Sequence, residues 1–409
     1  MSGEQHVLSN GVTVAVDPLP GAESIAIGLY ASVGSRSEPE RLGGLAHLVE
    51  HMVFKGAGGR DTRALAEVIE DVGGSLNAWT ARDQTVFHGR ALARDLPLVV
   101  GLIADLVRAP HFDEEHLERE KQVILSELGE SVDSPDDLVH DHLFEAAFEG
   151  QAIGRPVLGT EASVCAATRR DCFDWLGRQF SPSRLILAAS GKVEADAVLK
   201  LAEQLFGDME PRETPEMEAA RFTGGVRNDR RSFEQAHWCL AFEGLAASDP
   251  GNPALGVFVQ ALGGGTSSRL FQELREERGL AYSIYSWNQA FADCGLVGIG
   301  CAAERGRAAE SVRLARDVLA ATADGLNEAE LSRARAQMEA GLLMALETVQ
   351  GRADHMARSI DVFGRILPLD ELLAQVRAVT IADARTAGRA LIDGPVAVAS
   401  VGAKLVLAA

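Results

Sequence analysis

The sequence predicts an α+β protein of two homologous domains, each an antiparallel sheet covered by helices. Three observations carry this reading. At 409 residues the chain is too long for one ordinary core. The same order of strand-like and helix-like text runs on both sides of an acidic, proline-bearing stretch, residues 207–215, which has no apolar period. Finally, Leu326-Asn327-Glu328-Ala329-Glu330-Leu331-Ser332-Arg333 echoes Phe112-Asp113-Glu114-Glu115-His116-Leu117-Glu118-Arg119. The expected boundaries are 1–207 for the first domain, 208–222 for a linker and 223–409 for the second.

In the first half, short runs at 6–8, 13–16 and 24–30 read as strands. Helical pattern follows around residues 47–51 and again over 61–72, where Gly73-Gly74 stops it. Strand pattern returns at 75–80 and 84–90, before helices at about 96–108, 113–131 and 136–148. A strand at 184–190 and a helix at 194–206 finish the unit. Beyond the linker come a strand at 233–242, helices at 253–262 and 269–278, strands at 282–291 and 295–301, and helices at 308–323 and 327–347.

Composition narrows the partners. The chain is 46% hydrophobic and 24% charged, an ordinary globular mixture, and no apolar run is long enough to cross a bilayer. A net charge of −20 argues against nucleic acid and for cationic ligands. Residues 113–149 hold thirteen acids against Arg119 and Lys121, either a solvated helical face or a cavity wall that attracts basic peptide segments. No secretory signal is visible at the N-terminus, so a cytoplasmic location is expected. The five cysteines are odd in number and widely spread, which reads as reduced thiols.

Chemistry concentrates in His47-Leu48-Val49-Glu50-His51. On a helix, positions i and i+4 share a face, so both imidazoles can reach one ion, with Glu50 close enough to touch a water held there. These are the parts of a zinc hydrolase, in the H-x-x-E-H order of the inverzincins. Composition alone would produce roughly 0.03 such pentapeptides in a chain of this kind, so chance is a poor explanation. Two surface histidines on an amphipathic helix remain the alternative. A third protein ligand is needed, and the best source is the helix through Glu118–Glu127. There Glu120 and Glu127, two turns apart, share a face: one can bind the metal while the other supports a histidine. Periodicity does not say which.

At this point the sequence resembles the pitrilysin-type inverzincin metallopeptidases, in particular bacterial relatives of the mitochondrial processing peptidase β subunit. The matching text is residues 43–56 around the pentapeptide, the run from Glu118 to Glu127, and Gly159. In the second half it is Ser267-Ser268-Arg269-Leu270-Phe271-Gln272-Glu273-Leu274-Arg275 with Gly279-Leu280-Ala281-Tyr282. The resemblance implies one Zn2+ per chain held by His47, His51 and Glu127. In the family the third ligand lies 76 residues beyond the second histidine, as Glu127 lies beyond His51. It also implies Glu120 as the acid supporting a ligand, Glu50 as general base, and Asn77, Ala78 and Trp79 on an edge strand to which substrate adds as a further strand. Arg275 and Tyr282 match the family's Arg/Tyr pair, which contacts substrate backbone and oxyanion. One departure stands out. Only Gly263-Gly264-Gly265-Thr266 stands where the processing peptidase's non-catalytic subunit has a long glycine-rich loop, which favours general oligopeptidase activity over presequence processing.

The implied function is zinc-dependent endopeptidase action on short or unfolded peptides inside a closed chamber. Closing such a chamber takes four family domains, so a homodimer is expected. The competing readings are a non-catalytic structural core subunit of the same fold and an active subunit with a different, metal-free partner. The intact set His47, Glu50, His51 and Glu127 speaks against the first, and Arg275 with Tyr282 against the second.

Overall fold

The computed structural model describes residues 3–406. In chain order its first part contains β1 (Glu4–Val7), β2 (Thr13–Pro18), β3 (Ser24–Ala31), α1 (Leu45–Val53), a minimal hairpin of β4 (Gly56–Ala57) and β5 (Arg60–Asp61), α2 (Thr62–Glu70), β6 (Ser75–Thr80) and β7 (Thr85–Leu92). Helices α3 (Leu96–Arg108), α4 (Glu114–Asp133), α5 (Pro135–Ala147), α6 (Glu161–Ala166) and α7 (Arg169–Gln179) follow, then β8 (Leu185–Gly191) and α8 (Ala195–Phe206). The remainder is β9 (Gly225–Asp229), β10 (Gln235–Gly244), α9 (Asn252–Gly263), β11 (Ala281–Ala290), β12 (Gly295–Glu304), α10 (Ala308–Gly325) and α11 (Glu328–Ala345). Then come α12 (Val349–Phe363), α13 (Leu369–Ala378), α14 (Ile381–Asp393) and β13 (Val396–Val401). The helix expected at 269–278 is wound as a π-helix over Phe271–Glu277.

Duplication is visible in the topology. The first sheet runs β1-β2-β8-β3-β7-β6 and the second β9-β13-β10-β12-β11. Leaving out β1, the two orders correspond strand for strand, and so do the orientations. One parallel pair (β2/β8 and β9/β13) is followed by three antiparallel pairs in each. The sheets are thus antiparallel except for that pair, which joins strands far apart in sequence that local patterning cannot order.

The chain forms two compact units, and they do not follow its linear halves. The first is made of residues up to Leu128, Pro156–Glu218 and Leu343–Leu369; the second of Gly129–Arg155, Ala219–Leu342 and Asp370 onward. The expected linker, 208–222, has no regular structure, and the unit boundary at Glu218/Ala219 falls within it. What departs from 1–207 and 223–409 is the place of two helices. Each sheet has two apolar faces, and the helices of one half cover only one of them. In the first unit the second face, with Ala15, Tyr30, Val86, Ile186 and Ala188, is covered by Ala353, Met356, Ala357 and Ile360 of α12. In the second unit, Val139, Leu143, Phe144 and Ala147 of α5 cover Cys239, Ala241, Leu296, Ala397 and Ala399. Burying that apolar area at roughly 25 cal/mol per Å² outweighs continuity along the chain.

Polar contacts pin α12 as well. Asp17 of β2 is fully buried, and its Oδ2 accepts from Arg352 Nε at 2.6 Å. Tyr30 donates to Asp354 at 2.5 Å. Arg352→Met should therefore lower the unfolding free energy by about 3–5 kcal/mol, since it leaves a buried carboxylate without its counter-charge. Chemical denaturation checks this, and a loss below about 1 kcal/mol would mean that the pair is screened like a surface ion pair. All five cysteines are free. Among the described residues no helix is long and apolar enough to cross a membrane.

Candidate metal centre

Helix α1 is fixed at its start by two devices. Gly44 caps it with φ +87°, and a Cβ there would lie 2.5 Å from the Leu158 carbonyl oxygen, so only glycine fits. The buried Glu38 carboxylate then accepts from the Gly44 N–H at 2.8 Å and the Ala46 N–H at 2.7 Å, placing negative charge at the helix's positive end. Leu45, Ala46, Leu48, Val49, Met52 and Val53 face the core, which leaves His47, Glu50 and His51 half-buried on the opposite side.

Helix α4 supplies the facing carboxylates. Leu117 and Ile124 anchor it in the core, and Glu120 and Glu127 emerge two turns apart on the side that meets α1. Geometry separates their positions, which periodicity left open. Glu127 Oε2 lies 3.9 Å from His47 Nε2 and 3.7 Å from His51 Nε2. Glu120 Oε2 lies instead 3.2 Å from His51 Nδ1, on the far side of that ring, while its Oε1 is 2.9 Å from Lys55 Nζ. Donor atoms around one tetrahedral zinc sit roughly 3.3–3.6 Å from each other, so Glu127 Oε2 is within a few tenths of an ångström of that spacing from each imidazole, and all three atoms lie within 4.8 Å of one another. This is the one group of three or more such side chains close enough to hold an ion among the described residues.

Electrostatics agrees with the donor set. Burial, and then the neighbouring His51, push His47 down to about 4, so near neutral pH it is an uncharged ring with a lone pair to offer. Burial also raises the Glu50 carboxyl above its usual range, and the Glu127 charge adds to this. His47 Nδ1 and Glu50 Oε2 are both buried with no protein partner. Such orphaned atoms are expected where a ligand or water completes the site.

Strand β6 lies beside α1 at the end of its sheet, paired with β7 alone. Asn77 and Trp79 are exposed and Ala78 is buried. The Ala78 N–H is taken by Asn77 Oδ1 at 2.9 Å, not by a neighbouring strand. Arg275 and Tyr282 are in the second unit, and there they come together. The guanidinium sits 4.7 Å from the centre of the Phe271 ring and 6.0 Å from that of Tyr282. Register shifts between Ala281 and Ser283 on edge strand β11, and Tyr282, at this bulge, is 72% exposed. Sequence reasoning singled out neither Glu38, Lys55 nor Phe271. Only the spacing of Lys55, four residues after His51, could have signalled any of them.

Residues 13–161 match the family described as insulinase (peptidase family M16), and residues 166–338 match the peptidase M16 inactive domain. An uncharacterized zinc protease of Streptomyces coelicolor is 35% identical over 392 residues, covering 93% of this chain and 85% of the relative. The uncharacterized zinc protease YmxG of Bacillus subtilis is 30% identical, covering 92% of this chain and 93% of its own. Among solved structures, a protease from Helicobacter pylori superposes with a TM-score of 0.89 at 20% identity, over 98% of this chain and 99% of that one. A peptidase M16 inactive domain from Pseudomonas fluorescens gives 0.91, also at 20% identity, over 99% and 98%. Matched along nearly its whole length by relatives of this identity, the chain belongs to peptidase family M16, the insulinase family.

Proposed function

We propose that the protein is a zinc-dependent endopeptidase acting on short or unfolded peptide segments. The observation that carries this reading is the convergence of His47 Nε2, His51 Nε2 and Glu127 Oε2, with the unpartnered Oε2 of Glu50 one residue from a ligand. The relatives' description as zinc proteases supports the metal and the reaction class. One zinc per chain is held by His47, His51 and Glu127; when bound, it lowers the pKa of water and polarises the scissile carbonyl. Glu50 takes the proton from the attacking water. Its raised pKa makes it a stronger base than an ordinary surface carboxylate, closer to the working pH.

Substrate lies along β6 as an added strand. Main-chain hydrogen bonds there bind peptides with little regard to side chain, and Asn77 Oδ1 gives up the Ala78 N–H to the incoming backbone. Arg275 and Tyr282 supply further contacts to the substrate backbone and oxyanion. The acids of residues 113–149 favour basic segments. The working assembly is a homodimer that closes a chamber around the substrate.

Metal analysis tests the ligand set. Wild type is expected to hold one zinc per chain, and Glu127→Gln to lose it. Undiminished zinc in that variant would overturn the assignment and make Glu120 the candidate.

A further inference from the structure

We propose that Lys55 is a positioning residue for the metal centre, fixing the Glu120 carboxylate so that His51 presents Nε2 to the ion. This rests on the reading of His51 and Glu127 as ligands. The Glu120 side chain is only 9% exposed and has one recorded partner on each oxygen, His51 Nδ1 at 3.2 Å and Lys55 Nζ at 2.9 Å. A neutral imidazole carries a single N–H, and an ionised carboxylate can only accept. Glu120 therefore draws the His51 proton to Nδ1 and leaves the lone pair on Nε2, the atom that faces Glu127.

That tautomer holds only while the carboxylate does not rotate. Burying a carboxylate with one oxygen unpaired works against this. Lys55 supplies the missing donor and the compensating charge. The backbone delivers it: α1 ends at Val53, but the Phe54 N–H still bonds the His51 carbonyl at 3.3 Å and the Lys55 N–H the Met52 carbonyl at 3.1 Å. The chain keeps turning for one more step, and Lys55 falls one turn beyond His51 on the same side. Its other side borders an open cleft of about 730 Å³ lined also by Asp61, His111, His116 and Arg169, so the stem has room without displacing the core.

A cation close to a divalent ion also repels it, so Lys55 makes two contributions of opposite sign. Positioning is expected to dominate. In chelator competition, Lys55→Met should bind zinc roughly 10–100-fold more weakly than wild type, the range typical of a lost supporting contact. The visible absorption of its cobalt-loaded form should shift, while Lys55→Arg, which keeps donor and charge, stays close to wild type. Because Lys55 acts through Glu120, Lys55→Met/Glu120→Gln should lose little more than Glu120→Gln alone. Thermal unfolding of the zinc-free proteins separates this from a general loss of fold, and Glu120→Gln provides the readout should Lys55→Met not fold. Equal or tighter zinc binding by Lys55→Met, failure of Lys55→Arg to restore it, or additive losses in the double variant would each overturn the role of Lys55 alone. A wild-type protein that bound no zinc would overturn the reading of the centre itself, and Lys55 with it.

Discussion

Glu50→Gln is expected to keep its full complement of zinc and to lose at least ~10²-fold in peptidase kcat, since general-base proton transfer is typically worth ~10²–10⁴. Glutamine reproduces the shape of the side chain and cannot take a proton. Glu50 projects from α1 between the two histidines but is not one of the three groups whose donor atoms converge. Metal content is therefore independent of it. The fold should not suffer either. Burial raises this carboxyl's pKa, so its contribution to the stability of the zinc-free protein is present at acid pH and is lost as pH rises through the raised value. The amide removes that loss, and zinc-free Glu50→Gln should unfold at or above the wild-type temperature at neutral pH. A variant that turns over peptides at the wild-type rate with zinc in place would remove Glu50 from the mechanism.

Tyr282→Phe should lower kcat by ~10²–10³ with zinc content unchanged, the usual effect of deleting one donor aimed at a developing oxyanion. The bulge at the start of β11 leaves Tyr282 mostly exposed, and Arg275, packed over Phe271, lies close to its ring. An exposed hydroxyl has little structural work to do, so a kinetic defect cannot be blamed on a damaged core. How the defect divides is informative. A fall in kcat places the hydroxyl in the transition state, whereas a rise in KM alone makes it a ground-state substrate contact. Unchanged kinetics would withdraw the tyrosine from the reaction.

Both predictions concern residues that could be named before any coordinates, Glu50 from the spacing within the pentapeptide and Tyr282 only from the resemblance of the second half to the metallopeptidase family. His47 and His51 lie one turn apart, and Glu120 and Glu127 two turns apart; helical geometry alone puts each pair on one face. Likewise, the repeated order of strands and helices was legible as a duplication, since each element's period is local. Which carboxylate meets both Nε2 atoms was not legible in the periodicity and came only from the resemblance, because the relative rotation of α1 and α4 depends on how Leu117 and Ile124 seat in the core. The contact of Glu120 with Lys55, which crosses between those two helices, had no signal that was read. The parallel pairs β2/β8 and β9/β13 and the placing of α5 and α12 against sheets from the other half of the sequence were hidden for the same reason. Periodicity tells a helix that it has an apolar face, but not which surface will cover it. That choice belongs to the area buried when the whole chain packs, and only the tertiary structure decides it.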